Sequence, residues 1–267
     1  MRSFDLTDRV VILTGAAGLI GRHYLPALAD AGAIVVAADR DRAGAEAAIA
    51  ELDARRALAV EVDLTRRESV REMVLDVARR FDRIDGLVNN AAIDPKFDAE
   101  HQGEHGLDFE SLPLDQWQAS LDVNLSGAFL CAQAVAPLMQ RQQSGSVVNI
   151  SSIYGLVGPD QRLYEREDGP RQVKPVTYTV TKAGLIGLTR YLATYWRGTG
   201  IRANTLTLGG VFNAHDDEFV RRYSARTLLG RMAQADEYNG ALIFLLSEAS
   251  AYMTGANLVV DGGWTAW

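Results

Sequence analysis

The chain has 267 residues, 48% of them hydrophobic, a formal charge of −7 and one cysteine. That balance gives a globular protein with ample core, read as one domain over 1–267, and argues against nucleic acid or an anionic membrane as partner, since both demand a basic stripe. Cys131 alone excludes an intramolecular disulfide framework and suits a reducing cytoplasm; no apolar run reaches the roughly 18 to 20 residues of a membrane span, and "MRSFDLTDR" lacks a signal peptide's apolar core.

In chain order, the apolar run "RVVIL" predicts a first strand, and "TGAAGLIG" (Thr14 to Gly21) leads from it into a helix near Ile20–Ala31. Strand, glycine turn and helix form the geometry that surrounds a pyrophosphate with backbone N–H groups. Gly15, Gly18 and Gly21 fall every third residue instead of at G-x-G-x-x-G spacing. A second strand, "AIVVAAD", ends in Asp39, at about the 20-residue spacing expected of a carboxylate that binds an adenosine ribose. A carboxylate there repels a 2′-phosphate and favours NAD over NADP, although Arg40 follows at once. Helices are predicted near Ala43–Arg55, Arg67–Phe81, Asp115–Arg141, Thr177–Arg197 and Asp236–Leu246. Strands are predicted at "LAVEVD", "GLVNN", "GSVVNIS", "IRANTLTL" and "NLVVD". This alternation implies a doubly wound parallel sheet of about seven strands with helices on both faces. Asp94–Pro113 and Gly158–Pro175 break the rhythm as long loops, which in a tight α/β chain are usually functional or disordered.

The chemistry concentrates at the carboxyl ends of the later strands, where open α/β sheets bind ligands. "VVNISS" ends the fifth strand in Ser151 and Ser152. "YTVTK" places Tyr178 and Lys182 on one helical face. A phenol with a pKa near 10 needs a neighbouring cation to serve as an acid/base at neutral pH. Asn124 is a polar residue inside a mostly apolar helical stretch, and a buried amide needs partners. "HQGEH", His101 to His105, spells a zinc-protease pattern, but Gly103 and Gly106 argue against the helix it needs, so no metal is expected; His23 and His215 have no ligand-spaced neighbours.

Together "TGAAGLIG", "VDL" at Asp63–Leu64, "NNAA", Asn124, "NISSIYG", "YTVTK", "LGGVFN" and "VDGG" resemble, in order, the motifs of the short-chain dehydrogenase/reductase family in its compact branch. The resemblance implies an NAD(P)-dependent oxidoreductase with Asn124, Ser152, Tyr178 and Lys182 as catalytic residues. Ser152 is favoured over Ser151 because it heads "SIYG". It implies a coenzyme cradle of Gly15, Gly18, Leu19, Ile20 and Gly21 from the turn, with Asp39, Arg40, Asp63 and Leu64 toward the adenosine. Asn90, Ala91, Ala92, Gly209, Val211 and Asn213 complete it, and Tyr178 and Lys182 reach the nicotinamide ribose. Asp63 matches the residue that bonds the adenine amine, and Asn124 the one that holds a water in a proton relay. Leu19 stands where the branch has its middle glycine, Ala92 where glycine is usual, and Leu208 where proline is usual.

Ser152 and Tyr178 lie 26 residues apart, about twice the usual family separation, the excess being the polar loop Gly158–Pro175. With the segment after the fourth strand, that loop offers Asp94, Lys96, Asp160, Arg162, Tyr164, Arg166 and Lys174, and Tyr154 lies just beyond Ser152. Asp94, Ser152, Tyr154, Arg162 and Tyr164 are expected to meet the substrate. Arginines and lysines beside acceptors suit a polyhydroxylated, phosphorylated small molecule, because guanidinium binds phosphate bidentately. "NNAAIDPKF", "GPDQRLY", "KPVTY", "GLTRYLATYW", "DEFV" and "GANLVVDGGWTAW" are similar to bacterial members linked to surface-polysaccharide and flagellin sugars, including the legionaminic acid pathway, which implies an amino- or keto-sugar phosphate or nucleotide sugar. The alternatives are a 3-oxoacyl thioester or a sugar acid as substrate, or a non-catalytic NAD sensor. Trp264 and Trp267 are expected to close a homodimer or homotetramer interface or to pack on the chain's own core.

Overall fold

The computed structural model describes residues 2–94, 108–165 and 172–267. Seven strands are present: β1 Val10–Thr14, β2 Ile34–Asp39, β3 Ala57–Glu61, β4 Gly86–Asn89, β5 Gly145–Ser152, β6 Ile201–Leu208 and β7 Asn257–Val260. They form one parallel sheet in the order β3-β2-β1-β4-β5-β6-β7. The β-branched runs are continuous because both sheet faces are covered. Along β1, Val10 and Ile12 enter one core cluster while Val11 and Leu13 enter the other.

The helices are α1 Gly21–Asp30, α2 Arg42–Ala48, α3 Arg67–Phe81, α4 Leu114–Leu121, α5 Gly127–Gln142, α6 Val176–Tyr195, α7 Asp217–Ser224 and α8 Asn239–Leu246. One layer buries Val74 and Val77 of α3, Cys131, Val135 and Met139 of α5, and Leu192 of α6. The other buries Tyr24, Leu25 and Leu28 of α1 with Leu242, Leu245 and Leu246 of α8.

Three boundaries depart from expectation. α2 stops at Ala48, well before Arg55, and downstream the Asp53 carboxylate accepts from Arg55 N, a local bond that competes with helix. The helix expected over Asp115–Arg141 is divided by a π turn at Asp122–Ser126, which carries Asn124. α7 was not anticipated, although its signals were present: Asp216 caps Phe219 N at 2.8 Å, Asp217 and Glu218 follow in the first turn, and Arg221 and Arg222 close the last.

Among the described residues, 114–142 forms one helical stretch long and apolar enough by mean hydropathy to cross a bilayer, although no uninterrupted apolar run in it has that length. Its apolar side lies on the sheet and α3, which accounts for its composition. At the opposite edge from the carboxyl ends, the buried Asp85 carboxylate accepts from Val10 N at 2.9 Å and is held bidentately by Arg83. Replacing Asp85 by Ala should destabilise the fold by about 1–3 kcal/mol in urea unfolding, because it leaves the Val10 N–H buried without its acceptor.

Candidate active site

The carboxyl ends of β1, β2, β4, β5 and β6 meet in a cavity of about 690 Å³. Its floor begins at the glycine turn. Gly15 has φ +68°, and a Cβ there would lie 2.7 Å from Ala91 Cα. A Cβ on Gly21 would lie 2.3 Å from Gly15 O, so the start of α1 seats directly on the turn. Leu19 needs no glycine: it keeps a negative φ and turns a partly exposed side chain to the cavity. Gly18 and Ile20 line the same turn.

Asp39 is anchored at this turn. One carboxylate oxygen accepts from Ala17 N at 2.9 Å and the other from Asp41 N at 3.0 Å, with Arg40 beside it in the cavity wall. The Asp63 carboxylate accepts from Thr65 N and Oγ1 at 2.9 and 2.7 Å, which holds it below its usual range, and Leu64 adjoins it. Asn90 Nδ2 donates to Thr14 O and Gly15 O, and Ala91 N donates to Thr14 Oγ1, which stitches the end of β4 to the turn. Ala92, Gly209, Val211 and Asn213 line the far half. A narrow cradle that excludes Cβ atoms, followed by an anchored carboxylate, fits a dinucleotide: glycine backbone toward the phosphates, Asp39 toward a ribose.

At the other end, Ser152 closes β5, its hydroxyl accepts from Tyr154 N at 3.2 Å, and it lines the cavity together with Tyr178. Ser151 alternates to the other side, where its hydroxyl donates to Lys182 O at 2.8 Å, so only Ser152 faces the cavity. Tyr178 stands in the first turn of α6 and Lys182 one turn on, its ammonium donating to Ile150 O at 2.9 Å and lying 5.6 Å from the Tyr178 ring centre. Asn124, 1% exposed, accepts from Ile93 N at 2.7 Å and donates to Ile93 O at 3.1 Å and Thr181 Oγ1 at 3.3 Å.

A family model described as enoyl-(acyl carrier protein) reductase matches residues 15–265. The chain is 35% identical to D-threitol dehydrogenase of Mycolicibacterium smegmatis over 98% of its own length and 95% of that protein. It is 33% identical to a 3-oxoacyl-[acyl-carrier-protein] reductase of Synechocystis, covering 97% of each. The solved gluconate 5-dehydrogenase of Burkholderia cenocepacia, in complex with NADP and tartrate, superposes with a TM-score of 0.85 at 31% identity, covering 100% of this chain and 98% of that one. The chain belongs to the short-chain dehydrogenase/reductase family. It is thus an NAD(P)-dependent oxidoreductase acting on alcohol groups.

In this enzyme, burial and then the Asp94 charge push the Tyr178 phenol well above its usual range, while the Ser152 hydroxyl pulls it down. Burial lowers the Lys182 ammonium to about 8. Asp94, Tyr154 and Tyr164 line the cavity, the two tyrosine hydroxyls 3.1 Å apart. Arg162 does not. Its guanidinium grips the Asp160 carboxylate at 2.8 and 2.7 Å outside the cavity, and Asp160 also binds Arg226, so the pair braces the loop and leaves the substrate wall to others. Lys96, Arg166 and the His101–His105 pattern lie outside the described residues.

The sequence reading missed His215, Phe219, Tyr223 and Met232 as cavity residues. His215 stacks on Phe219 at 4.8 Å, and burial lowers its pKa. Its signal was the "HDDEFVRRYS" helix start, which sets an aromatic stripe facing Tyr164 and Tyr154. Trp264 is buried against Tyr223 at 4.4 Å and Tyr154 at 6.5 Å, so it packs on its own chain, whereas Trp267 is exposed. Replacing Gly21 by Ala should weaken NADH binding at least about tenfold in a fluorescence titration, because the added methyl forces Gly15 O out of the turn.

Proposed function

We propose that the enzyme interconverts a secondary alcohol and a ketone on a polyhydroxylated small molecule, with NAD as the preferred coenzyme. The observation that carries this reading is the convergence of Ser152, Tyr178 and Lys182 at one end of a cavity whose other end is the Gly15–Gly21 turn. A dinucleotide held by the Gly15–Gly21 turn and Asp39 would supply or accept the hydride at its nicotinamide. In reduction, Ser152 and Tyr178 hydrogen-bond the carbonyl oxygen, and Tyr178 gives its proton to that oxygen as hydride reaches the carbon. Lys182 would hold the nicotinamide ribose when the coenzyme is bound, and it places a cation beside the phenol that loses the proton. Asn124 is a positioning residue, since its side-chain amide is committed to the Ile93 backbone and Thr181.

NAD is favoured because the Asp39 carboxylate, fixed by two backbone N–H groups, would face a 2′-phosphate. The phosphorylated or nucleotide-linked sugar implied by the sequence loses the Arg162 guanidinium as an anchor. A neutral polyol or keto-sugar suits the hydroxyls of Tyr154 and Tyr164, the Asp94 carboxylate and the aromatic walls better. The same reading includes assembly as a homodimer or homotetramer in a reducing cytoplasm. It is supported by exposed Leu114 and Phe129 on α4 and α5 and by the stacked, exposed Tyr191 and Tyr195 on α6.

NADH and NADPH titrations followed by assays on polyols, keto-sugars, their phosphates and acetoacetyl thioesters test the reading; turnover confined to the thioester overturns it. Tyr178→Phe should abolish turnover while NADH still binds, and retained turnover would refute the assignment of the proton donor. The raised phenol pKa keeps Tyr178 protonated at neutral pH, ready for reduction. Alcohol oxidation, which needs the phenolate, should therefore accelerate as pH climbs above neutrality, and ketone reduction should fall once pH passes the Lys182 value of about 8.

A further inference from the structure

Lys174 stands four residues before Tyr178, and its side chain is 8% exposed. Its ammonium lies 4.1 Å from the Tyr178 ring centre and binds the carboxylate of Asp94, which comes from the segment after β4, lines the cavity and has a side chain 44% exposed. The backbone at each partner is clamped by a side-chain amide. Asn124 binds both N–H and C=O of Ile93, next to Asp94. Gln161 accepts from Lys174 N at 2.8 Å and donates to Lys174 O at 3.1 Å. Such a pair is a poor stabilising device, since the desolvation of a buried ammonium offsets much of its attraction to the carboxylate. It is a good recognition device when it is held rigidly beside the reacting group.

We infer that Asp94 and Lys174 form a substrate-reading ion pair that selects a hydroxyl on the carbon next to the reacting one, making the substrate an α-hydroxy ketone or the corresponding vicinal diol. The inference rests on the proposed function above and goes beyond it in naming the substituent. A hydroxyl can donate to the carboxylate and accept from the ammonium at once. A methylene in the same place strips water from both charges and returns no bond, so a simple ketone is rejected more strongly than its lost contact alone would explain. The ammonium over the Tyr178 ring sets the location, because a substrate oxygen bound at the phenol leaves the neighbouring carbon's substituent facing Lys174 and Asp94.

The test compares kcat/KM for acetoin and butanone, which share a skeleton and differ in that hydroxyl. Wild type should prefer acetoin about 100-fold or more, as a site built to bond a hydroxyl does. Lys174→Met and Asp94→Asn should each cut the ratio at least about tenfold with the NADH titration unchanged, a loss of about 1.4 kcal/mol in discrimination. Gln161→Ala, which leaves both charges in place, should lower the same ratio by a smaller factor, and it carries the test if either charge variant fails to fold. A wild-type ratio near one, or a ratio unmoved in the folded variants while polyols still turn over, overturns the ion-pair inference alone. Turnover confined to acetoacetyl thioester overturns it together with the proposed function.

Discussion

Parallel strands joined by right-handed crossovers must all present their carboxyl ends at the same edge, and everything chemical in this enzyme depends on that constraint. β1 lies between β2 and β4, so chain order reverses beside it. The crevice opened by the reversal receives the glycine turn from one side and the ends of β4 and β5 from the other. Register then decides which residues look into it. Ser152 pairs with Leu208 and faces the cavity, whereas Ser151, one residue earlier, is turned toward the α6 backbone.

Three desolvated ionisable groups gather at this edge. Lys182 is buried against a strand carbonyl, Lys174 against a tyrosine ring and a carboxylate, and Tyr178 lies between them. Burial favours the neutral form of Tyr178 and of Lys182, and the neighbouring charges and hydrogen bonds work with or against it. The acid/base behaviour of the site is therefore a balance set by packing, and no single side chain carries it.

The polar segment between β5 and α6 becomes part of the site through a chain of short-range anchors. Asp160 holds Arg162 and Arg226, Arg226 stacks on Trp264, and Arg222 donates to the carbonyls of Arg162 and Glu165. These contacts spend Arg162 on the loop's own posture. Among its described residues, it delivers Tyr164 and Lys174 to the cavity.

The seven strands, the glycine turn and the Tyr178–Lys182 spacing were legible in the sequence because each rests on local periodicity or on backbone freedom at a named residue. Asp39 was legible for the same reason, as the last residue of a strand with a known offset from the turn. The tertiary structure alone decided that Arg162 points away, that Asn124 sits in a π turn gripping Ile93, and that His215 and the α7 aromatics close the pocket. It also joined Asp94 to Lys174 across eighty residues of chain. Whether a charged side chain meets a substrate or a neighbouring loop depends on which partner three-dimensional packing brings within hydrogen-bond distance, and a linear pattern of charges does not contain that distance.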